Sequence, residues 1–213
     1  MKFHGYFRSS SSYRCRIALN LKGLEYDFCP VHLKNGAQHS AEFSALNPQN
    51  LLPVLETAEG TILTQSLAII EWLDETHPEP PLLSRDPLLR AQERAFAQVI
   101  ACEIHPLQNL RVLKYLAAEL QATPDQTSAW LARWLGDGLA ACEALLARGP
   151  DTAFCFGDAP GLADLCLVPQ VFSARRFNVD LSSLPRISTI YDRCMALPEF
   201  DRAQPSRQPD FEG

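Results

Sequence analysis

Two rhythms of apolar and polar residues run along this chain. The first is a series of short apolar runs separated by turn residues. Lys2 to Phe7 suits a strand. Four serines follow, and then Cys15, Ala18, Leu19 and Leu21 recur at helical spacing, with Gly23 where a helix would end. Tyr26 to Val31 reads as a second strand. A polar segment, Lys34 to His39, leads into a short helix over Ser40 to Leu46, broken by Asn47-Pro48-Gln49-Asn50. Leu52 to Glu56 and Thr61 to Thr64 flank the turn at Glu59-Gly60 and predict a hairpin. Gln65-Ser66 then precedes a helix over Leu67 to Thr76, whose Leu67, Ile70 and Leu73 share a face. This order, βαβα followed by ββα, predicts an α/β layer of about 80 residues.

The second rhythm is helical throughout. The proline-rich segment His77 to Arg85 cannot continue a helix and marks a boundary. Asp86-Pro87 is a cap with proline at the first helical position, opening a long helix from Leu88 that Pro106 should disturb. Thr123-Pro124-Asp125-Gln126 is a capping box starting a helix to about Arg148. Trp130, Trp134 and Leu145 are expected on its core side. Leu162 to Phe177 and Ile187 to Leu197 predict two more helices. The expected fold is therefore α/β plus all-α, with residues 1–80 forming the mixed layer and 86–213 the helical domain. The tail from Gln204 to Gly213 shows no periodic pattern and is expected to pack poorly.

Composition narrows the function classes. The 213 residues carry a net charge of -6, which gives no support for nucleic-acid binding. No run of about 18 apolar residues could span a membrane. The start, Met1-Lys2-Phe3-His4-Gly5, lacks a signal core, so a cytoplasmic protein is expected. The seven cysteines are scattered, odd in number and without a Cys-x-x-Cys pair. They argue against a disulfide framework, a metal site or a dithiol motif, and read mostly as core residues.

Against an acidic background, the stretch from Arg8 to Arg16 stands out. Ser9, Ser10, Ser11 and Ser12 lie where a strand passes into a helix. A serine oxygen there accepts from a free N–H of the first turn, and the helix start carries partial positive charge. An anion, a thiolate included, is stabilised at such a place by the dipole, the N–H groups and the hydroxyls. Arg8, Arg14 and Arg16 crowd the same turn. The competing reading is a turn and a cap with no chemistry. Gln65-Ser66 offers the same pair of readings, cap or carboxylate site. Pro53 is either an ordinary edge residue or a cis-proline that presents Leu52 to an extended ligand. Arg8, Arg111 and Arg176 are either solvated charges or the bidentate donors that a dianionic substrate needs. His105-Pro106 interrupts the same helix as Arg111, and His105 is either structural or part of a cleft.

The run Arg8-Ser9-Ser10-Ser11-Ser12-Tyr13-Arg14-Cys15-Arg16 resembles the signature of the zeta-class glutathione transferases, the maleylacetoacetate isomerase family. Further matches follow in order: Ala45-Leu46-Asn47-Pro48, Leu52-Pro53, Gln65 to Glu71, Pro106-Leu107-Gln108-Asn109-Leu110, Ala163 to Gln170, Arg176-Phe177, Val179-Asp180-Leu181 and Arg207-Gln208-Pro209-Asp210. They span nearly the whole chain. Gln65-Ser66 is common to many glutathione transferases, and the serine signature combined with Pro-Leu-Gln-Asn-Leu is the specific part. The resemblance implies a thioredoxin-like N-terminal domain, a helical C-terminal domain, a homodimer and glutathione held between domains. It implies that Ser9, Ser10, Ser11, Ser12, Tyr13 and Arg14 surround the thiol. The backbone of Leu52, with Pro53 cis, would meet the cysteinyl part, and Gln65 and Ser66 the γ-glutamyl end. Gln38 or His39, depending on loop register, would lie near the glycyl end. His105, Asn109, Leu110 and Arg111 would border the site from the second domain.

Three positions depart from the family's pattern. Ser11 stands where a cysteine is usual, which removes thiol exchange from that position. Tyr13 replaces a Trp or His. Gly161 replaces a Thr and loses one half of a capping box. The implied activity is the glutathione-dependent cis–trans isomerisation of maleylacetoacetate to fumarylacetoacetate in tyrosine and phenylalanine catabolism. Ser9, aided by Ser10, Ser11 and Arg8, would hold the thiolate, and Arg8, Arg111 and Arg176 the carboxylates of a small dicarboxylate substrate. Maleylpyruvate isomerisation in gentisate degradation is the near alternative. A general conjugating transferase is disfavoured by an arginine-lined site, and a non-catalytic binding module by the intact serine cluster.

Overall fold

The first apolar run forms β1 (Lys2–Gly5), which lies inside a four-stranded sheet. The computed structural model describes residues 1–212. β2 (Asp27–Pro30) pairs with β1 in parallel, and β3 (Val54–Glu56) pairs with its other edge antiparallel, placing Phe3 opposite Leu55. β4 (Ile62–Thr64) closes the hairpin, giving the order β2-β1-β3-β4. The expected hairpin is present, and β1 and β2 form a parallel crossover. β1 and β2 are joined by α1 (Ser10–Leu21), and α2 (Ala41–Leu46) and α3 (Ser66–Thr76) complete the layer. Phe3, Ile17, Leu19, Leu55, Ile69 and Leu73 form its interior. Removing such apolar side chains from water is the dominant stabilising term in a layer of this kind.

The chain divides into two compact units, Met1–Leu82 joined by the segment from Met195, and Leu83–Cys194. The C-terminal segment therefore groups with the sheet and not with the helical domain to which the sequence pattern assigned it. Its α9 (Pro198–Ala203) packs on α1. Asn20 Nδ2 donates to the Glu199 carbonyl at 2.8 Å, and Arg16 Nε to the Ala203 carbonyl at 2.9 Å. Beyond it the tail is held and not loose, contrary to expectation. Gln208 Nε2 donates to the Arg202 and Gln204 carbonyls, and Asp210 Oδ2 accepts from the Phe7 N–H at 2.9 Å. The Phe211 ring meets Phe7 edge-on at 5.5 Å, and Glu212 pairs with His32 and Lys34. A polar sequence concealed this because the tail is tied through side chain to backbone bonds, which leave no apolar periodicity.

The second unit is helical: α4 (Pro87–Gln98), α5 (Leu110–Ala118), α6 (Pro124–Ala147), α7 (Leu162–Arg176) and α8 (Pro185–Met195). The disturbance expected at Pro106 is spread over ten residues, a π-helical stretch Val99–Ile104 followed by a 3-10 turn His105–Gln108. Proline removes one N–H of the helical ladder, and the chain widens before it to re-register. Gly138 of α6 makes room for Ile104, because a Cβ there would collide with that side chain. The capping box at Thr123 and Gln126 is formed. The buried stripe of α6 is Leu131, Leu135, Leu139, Cys142 and Leu146. Trp134 and Leu145 are 40% and 38% exposed, and Trp130 is half-buried with its Nε1 donating to the Leu107 carbonyl. The sequence reading was one helical position out, since broad amphipathic stripes leave neighbouring apolar residues on the boundary. Among the described residues no helix is long and apolar enough to cross a membrane.

Candidate active site

Ser9 is the N-cap of α1, and its Oγ accepts from the Ser12 N–H at 3.2 Å. Ser9 and Ser11 hydroxyls lie 3.2 Å apart, and Ser11 donates to the Leu52 carbonyl at 3.0 Å. A hydroxyl has one hydrogen, so Ser11 is committed as a donor to Leu52 and accepts from Ser9. The order is Ser9 to Ser11 to Leu52, with Ser9 the member whose hydrogen can turn to a new acceptor. Both serines are half-buried, while Ser10 and Ser12 are buried. The Leu52–Pro53 peptide is cis, and the Leu52 carbonyl is occupied by the Ser11 hydroxyl.

The arginines divide. Arg8 remains partly exposed beside the Phe7 ring, 5.7 Å from its centroid. Arg14 and Arg16 are not surface charges; both are buried. The Arg16 guanidinium donates to the carbonyls of Tyr6, Phe7 and Ala203, and burial lowers its pKa to about 10. It ties the backbone that leads into the serine turn. Arg14 Nη1 donates to Ser66 Oγ at 3.3 Å, which ties it to the start of α3. Tyr13 is buried with its hydroxyl 3.7 Å from the Met195 sulfur.

Gln65 precedes α3 with φ of 68° and ψ of 116°. A non-glycine residue there is strained, and such strain gathers at ligand sites. Its exposed amide donates to Gln49 Oε1 at 2.9 Å, a partner the sequence reading missed because nothing local marks a bond between a loop and a helix cap. Gln38 is 7% exposed with its Oε1 unmet, whereas His39 is exposed.

In the helical unit, Asn109 caps α5, accepting from the Arg111 N–H at 3.1 Å. Leu110 and Arg111 open that helix at the surface, and His105 is half-buried in the turn before it. Arg176 ends α7, stacked 4.1 Å from the Phe177 ring centroid. The buried Gln108 and Gln170 amides exchange two hydrogen bonds of 3.2 Å and tie the turn before Arg111 to the helix that ends at Arg176. Gln108 and Gln170 lie inside quoted motifs but were given no role. At Gly161 half of the capping box survives: Asp164 accepts from the Gly161 and Cys155 N–H groups. Burial raises the Asp164 pKa and pushes the Cys142 thiol up to about 12. Five of the seven cysteines are buried, and none lies in the serine turn.

The profile of the Glutathione S-transferase, N-terminal domain matches residues 3–81, and that of the C-terminal domain residues 113–197. A maleylacetoacetate isomerase of Pseudomonas aeruginosa is 49% identical over 99% of this chain and 98% of its own. A maleylpyruvate isomerase of Ralstonia sp is 47% identical over 99% of both chains. Among solved structures, the holo form of a zeta-class bacterial maleylpyruvate isomerase superposes with a TM-score of 0.97 at 46% identity, covering both chains in full.

Proposed function

The chain belongs to the glutathione S-transferase family, and we propose that it is a glutathione-dependent cis–trans isomerase of the maleylacetoacetate isomerase type. The observation that carries this reading is the serine-capped start of α1, where the Ser9 hydroxyl is free to turn and the turn itself carries no cysteine. The identity to a maleylpyruvate isomerase supports a second substrate of the same chemistry. A cytoplasmic homodimer belongs to the same reading. Seven free cysteines suit a reducing compartment.

The residues present fit a tripeptide thiol. The helix start at Ser9 suits an anionic sulfur, the Leu52–Pro53 edge an extended backbone, and Gln38 has an unmet buried oxygen. Bound glutathione supplies the sulfur that adds to a conjugated cis double bond and later leaves, so that rotation occurs about a single bond. Ser9 donates its hydrogen to that sulfur, and the free N–H groups of α1 favour its anion, lowering a thiol pKa from about 8.5. Gln65 and Ser66 hold the γ-glutamyl end. Arg8, Arg111 and Arg176 hold substrate carboxylates and the oxygen on which negative charge develops.

Absorbance assays with maleylacetoacetate and maleylpyruvate, each with and without glutathione, test the reading. Turnover should stop on removing glutathione and return on adding it. Full turnover in thiol-free buffer refutes it.

A further inference from the structure

Two arginines of α1 are buried to nearly the same degree, yet only one is satisfied. Every nitrogen of the Arg16 guanidinium has a carbonyl partner. Arg14 is 1% exposed and makes one bond, Nη1 to Ser66 Oγ. Its Nε and Nη2 meet nothing, and no carboxylate pairs with it among the described residues. Burying a charge without a partner opposes folding, so Arg14 is not explained as a stabilising residue. Its one partner is the first residue of α3, an 11-residue helix whose leading N–H groups already favour an anion. Because Ser66 Oγ accepts from Arg14, its own hydrogen is left to point outward as a donor.

We propose that Arg14 is a positioning residue for a ligand carboxylate at the start of α3. It acts through Ser66, orienting that hydroxyl toward the ligand, and its unbalanced charge is the counter-charge that the carboxylate neutralises. The proposal rests on reading this helix start as the seat of the γ-glutamyl end of glutathione. It predicts opposite signs for stability and binding: the ligand-free protein carries an uncompensated cation, and the ligand relieves it.

The test compares wild type with Arg14→Met, which keeps the volume and removes the charge, and Arg14→Lys, which keeps the charge and loses the planar fork. Denaturation is measured without ligand. Calorimetry then gives affinities for glutathione and for 4-aminobutyryl-cysteinyl-glycine, the same tripeptide without the γ-glutamyl α-carboxylate. Ligand-free Arg14→Met should be at least as stable as wild type. It should bind glutathione roughly 10- to 100-fold more weakly, the span of one charge-assisted hydrogen bond, and the analogue within about twofold of wild type. Arg14→Lys should fall between the two for glutathione. If Arg14→Met unfolds, or loses both ligands equally, Arg14 is an ordinary structural residue and the proposal is overturned. If Arg14→Lys binds both ligands as wild type does, orientation through the fork is overturned. Wild type that discriminates the two ligands while neither variant changes that ratio overturns the proposal alone. Wild type that binds both equally removes the reading of the α3 start, and the proposal falls with it.

Discussion

Asp210→Ala probes how the serine turn is held. Asp210 Oδ2 accepts the Phe7 N–H at 2.9 Å, two residues before Ser9, and Phe7 is buried. Removing the carboxylate leaves that N–H without its acceptor, at about 1–3 kcal/mol for a buried group. The edge contact of Phe211 on Phe7 depends on the same strap and contributes at the low end of about 0.5–1.5 kcal/mol, because Phe211 is 45% exposed. The ion pairs of Glu212 are exposed and add little. The hydrogen bond alone therefore sets the scale. Protection of the Phe7 amide against hydrogen exchange should fall by roughly 5- to 150-fold, at 1.36 kcal/mol per decade. Asp210→Asn keeps an acceptor and should lose less. Ser9 is tied to this backbone through its own N–H, which donates to the Tyr6 carbonyl at 3.0 Å. A thiolate absorbance titration of bound glutathione should then shift to higher pH in Asp210→Ala. A change of less than about twofold in Phe7 exchange, where one lost bond is worth at least 1 kcal/mol, refutes the idea that the strap holds the turn.

Ser9→Ala should raise the pKa of bound glutathione and lower turnover more than it weakens glutathione binding; an unchanged thiolate titration moves that role to Ser11 or Ser10. Arg111→Ala and Arg176→Ala should each lower kcat/KM for a dianionic cis-substrate by roughly 10- to 100-fold, while a neutral aryl halide is little affected. Losses no greater than about twofold on the dianion, measured by steady-state kinetics, make them ordinary surface charges. Gln108→Leu should destabilise the helical unit by about 1–3 kcal/mol by stranding the Gln170 amide, and Gln108→Leu with Gln170→Leu should recover much of it; chemical denaturation of the three variants decides, and an additive double variant counts against the pairing.

Local chemistry was legible in the sequence. The Ser9 cap, the Thr123 box, the hairpin at Glu59-Gly60 and the break near Pro106 each depend on residues within a few positions of one another. The α/β plus all-α architecture followed from the change of period. What stayed hidden depends on distant partners. Nothing near Arg14 or Arg16 tells that one faces Ser66 and the other three carbonyls, since a guanidinium on a helix reads as solvated until the other end of the chain is in place. The bond from Phe7 to Asp210 joins residues 203 positions apart. Trp130, Trp134 and Leu145 show a different limit: the period of α6 was read correctly and its phase was not.

The unit that carries Ser9 and Ser66 is interrupted in sequence, because the whole helical unit lies between Leu82 and its remaining piece from Met195. The order of synthesis therefore separates the two pieces of this unit. Ribosomes deliver domains from the N-terminus, and a continuous N-terminal unit can fold while the rest is being made. Here the sheet emerges first and α9 and Asp210 last, whereas residues 83–194 are contiguous. Closing so long a loop costs little more entropy than closing a shorter one. A fragment of residues 1–82 should be poorly folded by circular dichroism and gain structure when a peptide covering residues 195–213 is added. The bonds that Asp210 and α9 make to Phe7, Arg16 and Asn20 can then form only when nearly all of the chain has been made.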